Sequence, residues 1–224
     1  MIIAIDGPAG SGKSTVAKKA AAQLGYHYLD TGAMYRALAV LALERSVDVN
    51  DELALVELSN QYPISFGYEE GEVLPSKVFI GDADVTRSIR TPQIDKAVSP
   101  VSAHPRVREA LVEQQRIIAQ EANYVVEGRD IGTTVFPQAE VKIFITASPE
   151  ERAKRRALQN KSRGLEDNYE HIYQAILVRD KADTERATSP LRPADDATIV
   201  DTTNMTLKEV IATVIALAQR SWEK

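Results

Sequence analysis

Near its start the chain reads Gly7-Pro8-Ala9-Gly10-Ser11-Gly12-Lys13-Ser14, which fits G-x4-G-K-[ST] without a mismatch. A random chain of this length would match roughly once in a hundred, and here the context agrees as well. Ile2 to Asp6 is an apolar run that stops abruptly at Gly7, as a buried parallel strand does. After the loop, Val16, Ala17, Ala20, Ala21 and Leu24 recur at helical spacing, and Gly25 supplies a stop. Glycines let the backbone curl until successive N–H groups point inward at phosphate oxygens. The helix that follows adds its positive end. Lys13 would reach the β and γ oxygens, and the Ser14 hydroxyl would ligate Mg2+. Gly7 to Ser14, with Thr15, are therefore the expected contacts for the phosphates of a nucleoside triphosphate.

The rest of the chain alternates in the same way. Further apolar strands are expected at Tyr26–Asp30, Tyr124–Gly128, Val141–Thr146 and Thr198–Asp201. Helices are expected at Thr31–Leu43, from His104-Pro105 to about Asn123, after Ser148-Pro149-Glu150-Glu151, and at Leu207–Trp222. The fold class is thus α/β, a parallel five-stranded sheet flanked by helices, with ligands at the carboxyl ends of the strands. Tyr62 to Thr91 breaks the pattern. Ile64-Ser65-Phe66 and Lys77-Val78-Phe79-Ile80 are short β pieces among Gly67, Gly71, Pro75 and Gly81, which reads as a small antiparallel insertion. The expected organisation is a single domain over 1–224, with an insertion at about 36–98 and a helical lid at about 151–167.

Bulk properties narrow the function. The 224 residues carry a net charge of −5, whereas a general nucleic-acid binder is usually basic. There is no cysteine, which removes disulfides, thiolate metal sites and cysteine nucleophiles. The first residues lack the basic and long apolar regions of a signal peptide, and the longest apolar run, Ala37–Leu43, is far below the ~20 residues of a spanning helix. No nucleic acid and no membrane are expected as partners, and a cytoplasmic location is. The histidines, His27, His104 and His171, suggest neither a triad nor a metal site.

A phosphate loop alone leaves a switch GTPase, a transporter ATPase and a small-molecule kinase open. No N-K-x-D guanine motif is present, the nearest approach being Asn160-Lys161-Ser162-Arg163. No L-S-G-G-Q transporter signature occurs either. The arginines carry the next step, being 16 of the 27 cationic residues. Arg36 follows Asp30-Thr31 at a strand-to-helix junction. Arg129 and Asp130 end another strand. Arg152, Arg155 and Arg156 share a helix face at i, i+3, i+4 spacing, with Arg163 beyond them. Arg179, Asp183 and Arg186 are spaced for one side of a helix. Plainer readings exist: a solvated face for the Arg152 triplet, with Glu151 supporting Arg155, and local pairing of Arg36 with Asp30. A kinase, however, needs positive groups from several elements, one of them movable, to meet charge spread over the transferred phosphoryl group.

The segments GPAGSGKST, LDTGAMYRA, RVREALVEQQR, VVEGRDIGTTVFP, KIFITASPEERAKRR and ERATSPL, in this order, resemble bacterial cytidylate kinase over nearly the whole chain. The resemblance implies a nucleoside monophosphate kinase fold and ATP-dependent phosphorylation of CMP and dCMP in pyrimidine nucleotide metabolism. It implies Mg2+ as the accompanying ion and a monomer. It places acceptor-phosphate contacts on Thr31, Arg36 and Arg129, and sugar and phosphate contacts on Arg179, Asp183 and Arg186. Cytosine contacts fall on Ser99, Arg108 and Asp130, and lid arginines on Arg152, Arg155, Arg156 and Arg163. Lys13, Arg129, Arg155 and Arg156 become the expected catalytic cations, and Arg152 an ATP contact. One departure is Thr31 where relatives carry Ser, which keeps the hydroxyl. The base assignment is chemically coherent. Asp130 would accept from the cytosine N4 amino group, with Ser99 beside it, and Arg108 would donate to N3 or O2; uracil presents the opposite pattern at two of these positions. The alternative for Asp130 is an acid that holds Mg2+ or water. The rivals are a kinase of the same fold acting on UMP, AMP or shikimate, and a non-catalytic nucleotide switch.

Overall fold

A computed structural model describes residues 1–120 and 122–222. Among these residues, eight strands and eight α-helices follow one another as β1 (Ile2–Asp6), α1 (Lys13–Leu24), β2 (His27–Asp30), α2 (Thr31–Glu44), α3 (Glu52–Gln61), β3 (Ile64–Gly67), β4 (Lys77–Ile80), β5 (Ala83–Asp84), α4 (Pro92–Ala103), α5 (Pro105–Ile118), β6 (Tyr124–Gly128), β7 (Val141–Thr146), α6 (Pro149–Ser162), α7 (Tyr169–Glu185), β8 (Thr198–Asp201) and α8 (Leu207–Trp222). The five-stranded sheet runs β2-β6-β1-β7-β8, and a separate three-stranded sheet runs β3-β4-β5. The expected α/β architecture is present, five-stranded parallel sheet and small antiparallel sheet included.

The chain divides into two compact units. The first comprises Met1–Leu24 and the chain from Val125 onward. Its frame is β1, with Ile3, Ala4, Ile5 and Asp6 all buried, as a strand covered on both faces must be. Parallel pairing sets Ile3 against Val141 and Asp6 against Phe144, and then Ile143 against Thr198. Along β7, Val141, Ile143 and Ile145 point to the buried side in strict alternation. Helix α1 buries Val16, Ala17, Ala20 and Ala21, the stripe expected from the sequence. Ser148 starts α6 as drawn from its sequence, its Oγ accepting from the Glu151 N–H at 3.2 Å, with Pro149 at the first helical position.

The second unit is Gly25–Tyr124. The Asp30 side chain caps α2 by accepting from the Ala33 N–H at 2.9 Å, and α2 buries ten of its fourteen residues. In the small sheet Ile64 pairs with Ile80 and Phe66 with Val78, antiparallel. Two helices here, α3 and α4, carry no expectation from the sequence reading. Helix α5 stops at Ile118 rather than near Asn123, because the Gln120 N–H turns back to the Ile117 carbonyl and tightens the last turn. Among the described residues, no helix is long and apolar enough to cross a membrane.

Candidate active site

The first unit gathers its chemistry where β1, β6 and β7 end. Gly7 sits at φ 146°, and a Cβ there would lie 2.0 Å from the Ile145 carbonyl oxygen, so only glycine fits. The turn it permits brings residues 8–12 over the start of α1. The Lys13 Nζ donates to the Pro8 carbonyl at 2.8 Å and is buried. Burial pushes the Lys13 ammonium down to about 7, and the Arg129 charge pushes in the same direction. The Ser11 hydroxyl is buried with no hydrogen-bonding partner among the described residues, a costly state for a polar group. Ser14 and Thr15, in the first turn of α1, are exposed.

Asp6 is a site residue that sequence reasoning passed over. Its two carboxylate oxygens accept from the Ile131 and Gly132 N–H groups, each at 2.8 Å. Burial raises its pKa to about 6 against the pull of those two bonds, and the neighbouring Asp130 charge raises it further. The signal available was an acid ending a wholly apolar strand. Asp6 thereby clamps the wide turn after β6, in which the Phe136 N–H reaches back to the Ile131 carbonyl at 2.7 Å. Close packing supports the clamp, since a Cβ at Gly132 would approach the Lys142 side chain to 3.2 Å.

The turn presents Arg129 and Asp130, and both meet residues from the end of α7. Arg129 Nε donates to Asp183 Oδ2 at 2.9 Å. Arg186 Nη2 lies 3.9 Å from Asp130 Oδ1, while its Nε donates to the Ser189 carbonyl at 2.6 Å. Burial alone would raise the Asp183 carboxyl, but the charges of Arg129, Arg179 and Arg186 outweigh it and hold it below the usual carboxylate range. The structure therefore brings Lys13, Arg129, Asp130, Asp183 and Arg186 together in one unit. Helix α7 ends at Glu185, so Arg186 acts from the cap position, one step past the helix face drawn from its spacing.

The arginines of α6 do not form a solvated face. Arg152 is 3% exposed, its Nε donating to the Ala147 carbonyl and Nη1 to the Ala9 carbonyl at 3.1 Å. Its guanidinium also meets Asp180 with two bonds, at 3.0 and 2.6 Å. Arg155 is half-buried. It donates to the Thr202 hydroxyl and carbonyl at 2.9 and 2.7 Å and, as expected, to Glu151 one turn back. Arg156 donates to Gln159 toward the solvent side, and Arg163 is exposed at the end of α6.

Within the second unit, Thr31 is buried at the start of α2. Arg36 does not pair with Asp30. It donates to the Ile89 carbonyl and forms an ion pair with Asp95 of α4, while Asp30 faces Arg90 at 3.4 Å. Neither Asp95 nor Arg90 was singled out by spacing, because each partner comes from a distant stretch of chain. Arg108 is buried, its Nη1 donating to the Ser102 carbonyl and its guanidinium 5.3 Å from the Tyr35 ring centre. Ser99 is exposed on α4, and its carbonyl accepts from the Ser102 hydroxyl.

A family model described as cytidylate kinase matches residues 3–220. The chain belongs to the cytidylate kinase family. A cytidylate kinase of Streptococcus pneumoniae (strain 70585) is 49% identical over 219 residues, covering 97% of each chain. A cytidylate kinase of Streptococcus suis (strain 05ZYH33) is 53% identical over 210 residues, covering 93% of this chain and 92% of the relative. The match spans the phosphate loop, the Arg129–Asp130 turn and the second unit of this family member alike. Among solved structures, an uncharacterized protein of Eubacterium ventriosum ATCC 27560 aligns over 96% of both chains with a TM-score of 0.51 at 14% identity, a likeness of fold.

Proposed function

We propose that this kinase transfers the γ-phosphoryl group of ATP to the phosphate of CMP or dCMP, giving ADP with CDP or dCDP. The carrying observation, beside family membership, is that the phosphate loop buries the Lys13 ammonium with the Arg129 charge in the neighbouring turn acting on it. Burial, and after it repulsion from the Arg129 charge, push the Lys13 ammonium down to about 7. A bound polyphosphate relieves that repulsion, so the site is arranged for anions. The buried Ser11 hydroxyl gains the partner it lacks from a phosphate oxygen.

The donor side is residues 7–15, with Arg152 serving the loop from α6. Lys13 charges the β and γ oxygens. Ser14 suits Mg2+, because this hard cation takes oxygen ligands and relies on nucleotide phosphates where protein carboxylates are few. The Ser14 hydroxyl would hold the ion together with the nucleotide phosphates. When bound, Mg2+ neutralises charge across the β and γ phosphates.

On the acceptor side, Thr31, Arg36 and Arg129 hold the acceptor phosphate, and Arg179, Asp183 and Arg186 hold sugar and phosphate. Arg36 and Arg129 each carry a carboxylate partner, Asp95 and Asp183, which an incoming phosphate would rival. The acceptor phosphate is already largely ionised at neutral pH, with a second pKa of about 6, so no general base is required. Orientation and charge supply the rate. Asp130, Ser99 and Arg108 read cytosine. Arg155 and Arg156 act on the moving phosphoryl group from a lid at about 151–167, and residues at about 36–98 form the monophosphate-binding insertion of a single functional domain. The protein works as a cytoplasmic monomer without nucleic-acid or membrane partners. ADP release measured with CMP, dCMP, UMP and AMP tests the reading: CMP and dCMP should lead. A strong preference for AMP would overturn the base assignment, and no turnover with any acceptor would favour a nucleotide switch.

A further inference from the structure

We infer that Asp180, in the last third of α7, is a positioning residue for the donor loop and acts through Arg152. The inference rests on the donor-side part of the proposed function. Arg152 has four donated bonds: one to the Ala147 carbonyl, one to the Ala9 carbonyl inside the phosphate loop, and two to Asp180. Its side chain is 4% exposed and that of Asp180 is 23% exposed, so the pair is largely withdrawn from solvent. Two parallel charge-assisted bonds fix a guanidinium in orientation as well as place. Nη1 donates to both Asp180 and the Ala9 carbonyl, so the pair with Asp180 directs the bond to Ala9.

The orientation of that peptide matters for the loop. Gly10 follows at φ 77°, without a side chain to restrict it, and a Cβ there would come within 3.3 Å of Arg152. Arg152 therefore sets both the hydrogen bond to the Ala9 carbonyl and the wall beside Gly10. When a carbonyl is fixed outward, the amide of the same peptide plane is fixed too, and loop amides are what a phosphate meets. Removing the Asp180 charge leaves a desolvated guanidinium seeking another acceptor, and the Ala9–Gly10 peptide loses its anchor. The α6–α7 contact does not depend on this pair alone, because Ala153, Ile172 and Ile176 pack there with Ala157 and Tyr173. A fastening role and a positioning role can thus be told apart.

The test measures binding of Mg2+-ATP alone by calorimetry for the wild type, Asp180→Asn, Arg152→Gln and the double variant, and the KM for CMP alongside. Asp180→Asn should weaken ATP about tenfold, as loss of a charged hydrogen-bonding partner does. The double variant should bind no more weakly than Arg152→Gln, the KM for CMP should change less than twofold, and Asp180→Glu should recover most of the affinity. Should Asp180→Asn melt at the assay temperature, Asp180→Ser against Arg152→Lys supplies the same cycle. ATP affinity within twofold of wild type in Asp180→Asn overturns the inference. So do additive effects in the double variant, and so does equal weakening of ATP and CMP, the mark of simple fastening. A wild type that binds ATP but does not phosphorylate CMP overturns the acceptor reading and leaves this one standing. A wild type that does not bind ATP overturns both.

Discussion

The phosphate loop at 7–14 and the turn at 128–135 leave the ends of two neighbouring strands of one sheet, and they are built by opposite means. The loop is shaped chiefly by backbone, with one side chain, Arg152 of α6, bonded to its Ala9 carbonyl. Gly7, Gly10 and Gly12 all take positive φ, and Lys13 reaches only as far as the Pro8 carbonyl. The turn is a matter of borrowed side chains. Asp6 of β1 holds its amides, while Asp183 of α7 and Arg186 just past that helix hold its charged residues. A backbone cradle suits a phosphate chain of fixed shape, since amides give direction without side-chain freedom to lose. A side-chain cluster suits a choice between acceptors, since the chemical identity of each group can be set separately.

That contrast can be broken experimentally, and the largest effect is expected in the loop. Lys13→Met should lower kcat by about a thousandfold while CMP binding persists, as loss of a preorganised charge at the reacting phosphoryl group does. Rapid-quench turnover with binding of CMP by calorimetry checks it. A loss smaller than that from Arg129→Ala would make the turn, not the loop, the centre of catalysis. Next, Asp183→Asn should raise the KM for CMP about thirtyfold with the KM for ATP little changed, because it leaves Arg129 without its charged partner. Equal damage to both substrates in steady-state kinetics would show that the turn also supports the donor loop.

A smaller effect is expected at Asp130. Asp130→Asn should shrink the preference for CMP over UMP, in kcat/KM, by about tenfold and leave the Mg2+ dependence near normal. Collapse of the Mg2+ response instead would make Asp130 a metal-organising acid. The smallest effect concerns pH. In the free protein Lys13 is protonated below about 7 and neutral above it. Bound phosphate raises that value again, so ATP binding above neutrality takes up a proton. The kcat/KM for ATP should therefore fall as pH rises, about fivefold between pH 7 and pH 8 from the protonated fraction of the free protein. Because the Arg129 charge contributes to the depression, Arg129→Ala should move the fall to higher pH. A profile unmoved by Arg129→Ala would show that burial acts alone and that loop and turn are electrostatically separate.

Elements whose causes are local are legible in the residues alone. The apolar run at 2–6, the glycines and Lys13 of the loop, the stripe on α1 and the Ser148-Pro149 start of α6 each depend on residues a few positions apart, and each stands where the chain reads it. The arginines were legible too, and so was the Glu151–Arg155 pair one turn apart, but not the partners from distant stretches of chain. Those the tertiary structure decided. Arg152 meets Asp180 28 positions away, Arg129 meets Asp183 at 54, Arg36 meets Asp95 at 59, and Asp6 meets the Ile131 amide at 125. Spacing encodes which residues share one helix face or strand end, because backbone geometry repeats over a few residues. Which charge faces which across the chain depends on how the elements are stacked. The same Arg152 that reads as one of three arginines on a solvated helix face is, once α7 lies beside α6, buried and bonded to the Ala9 carbonyl of the phosphate loop.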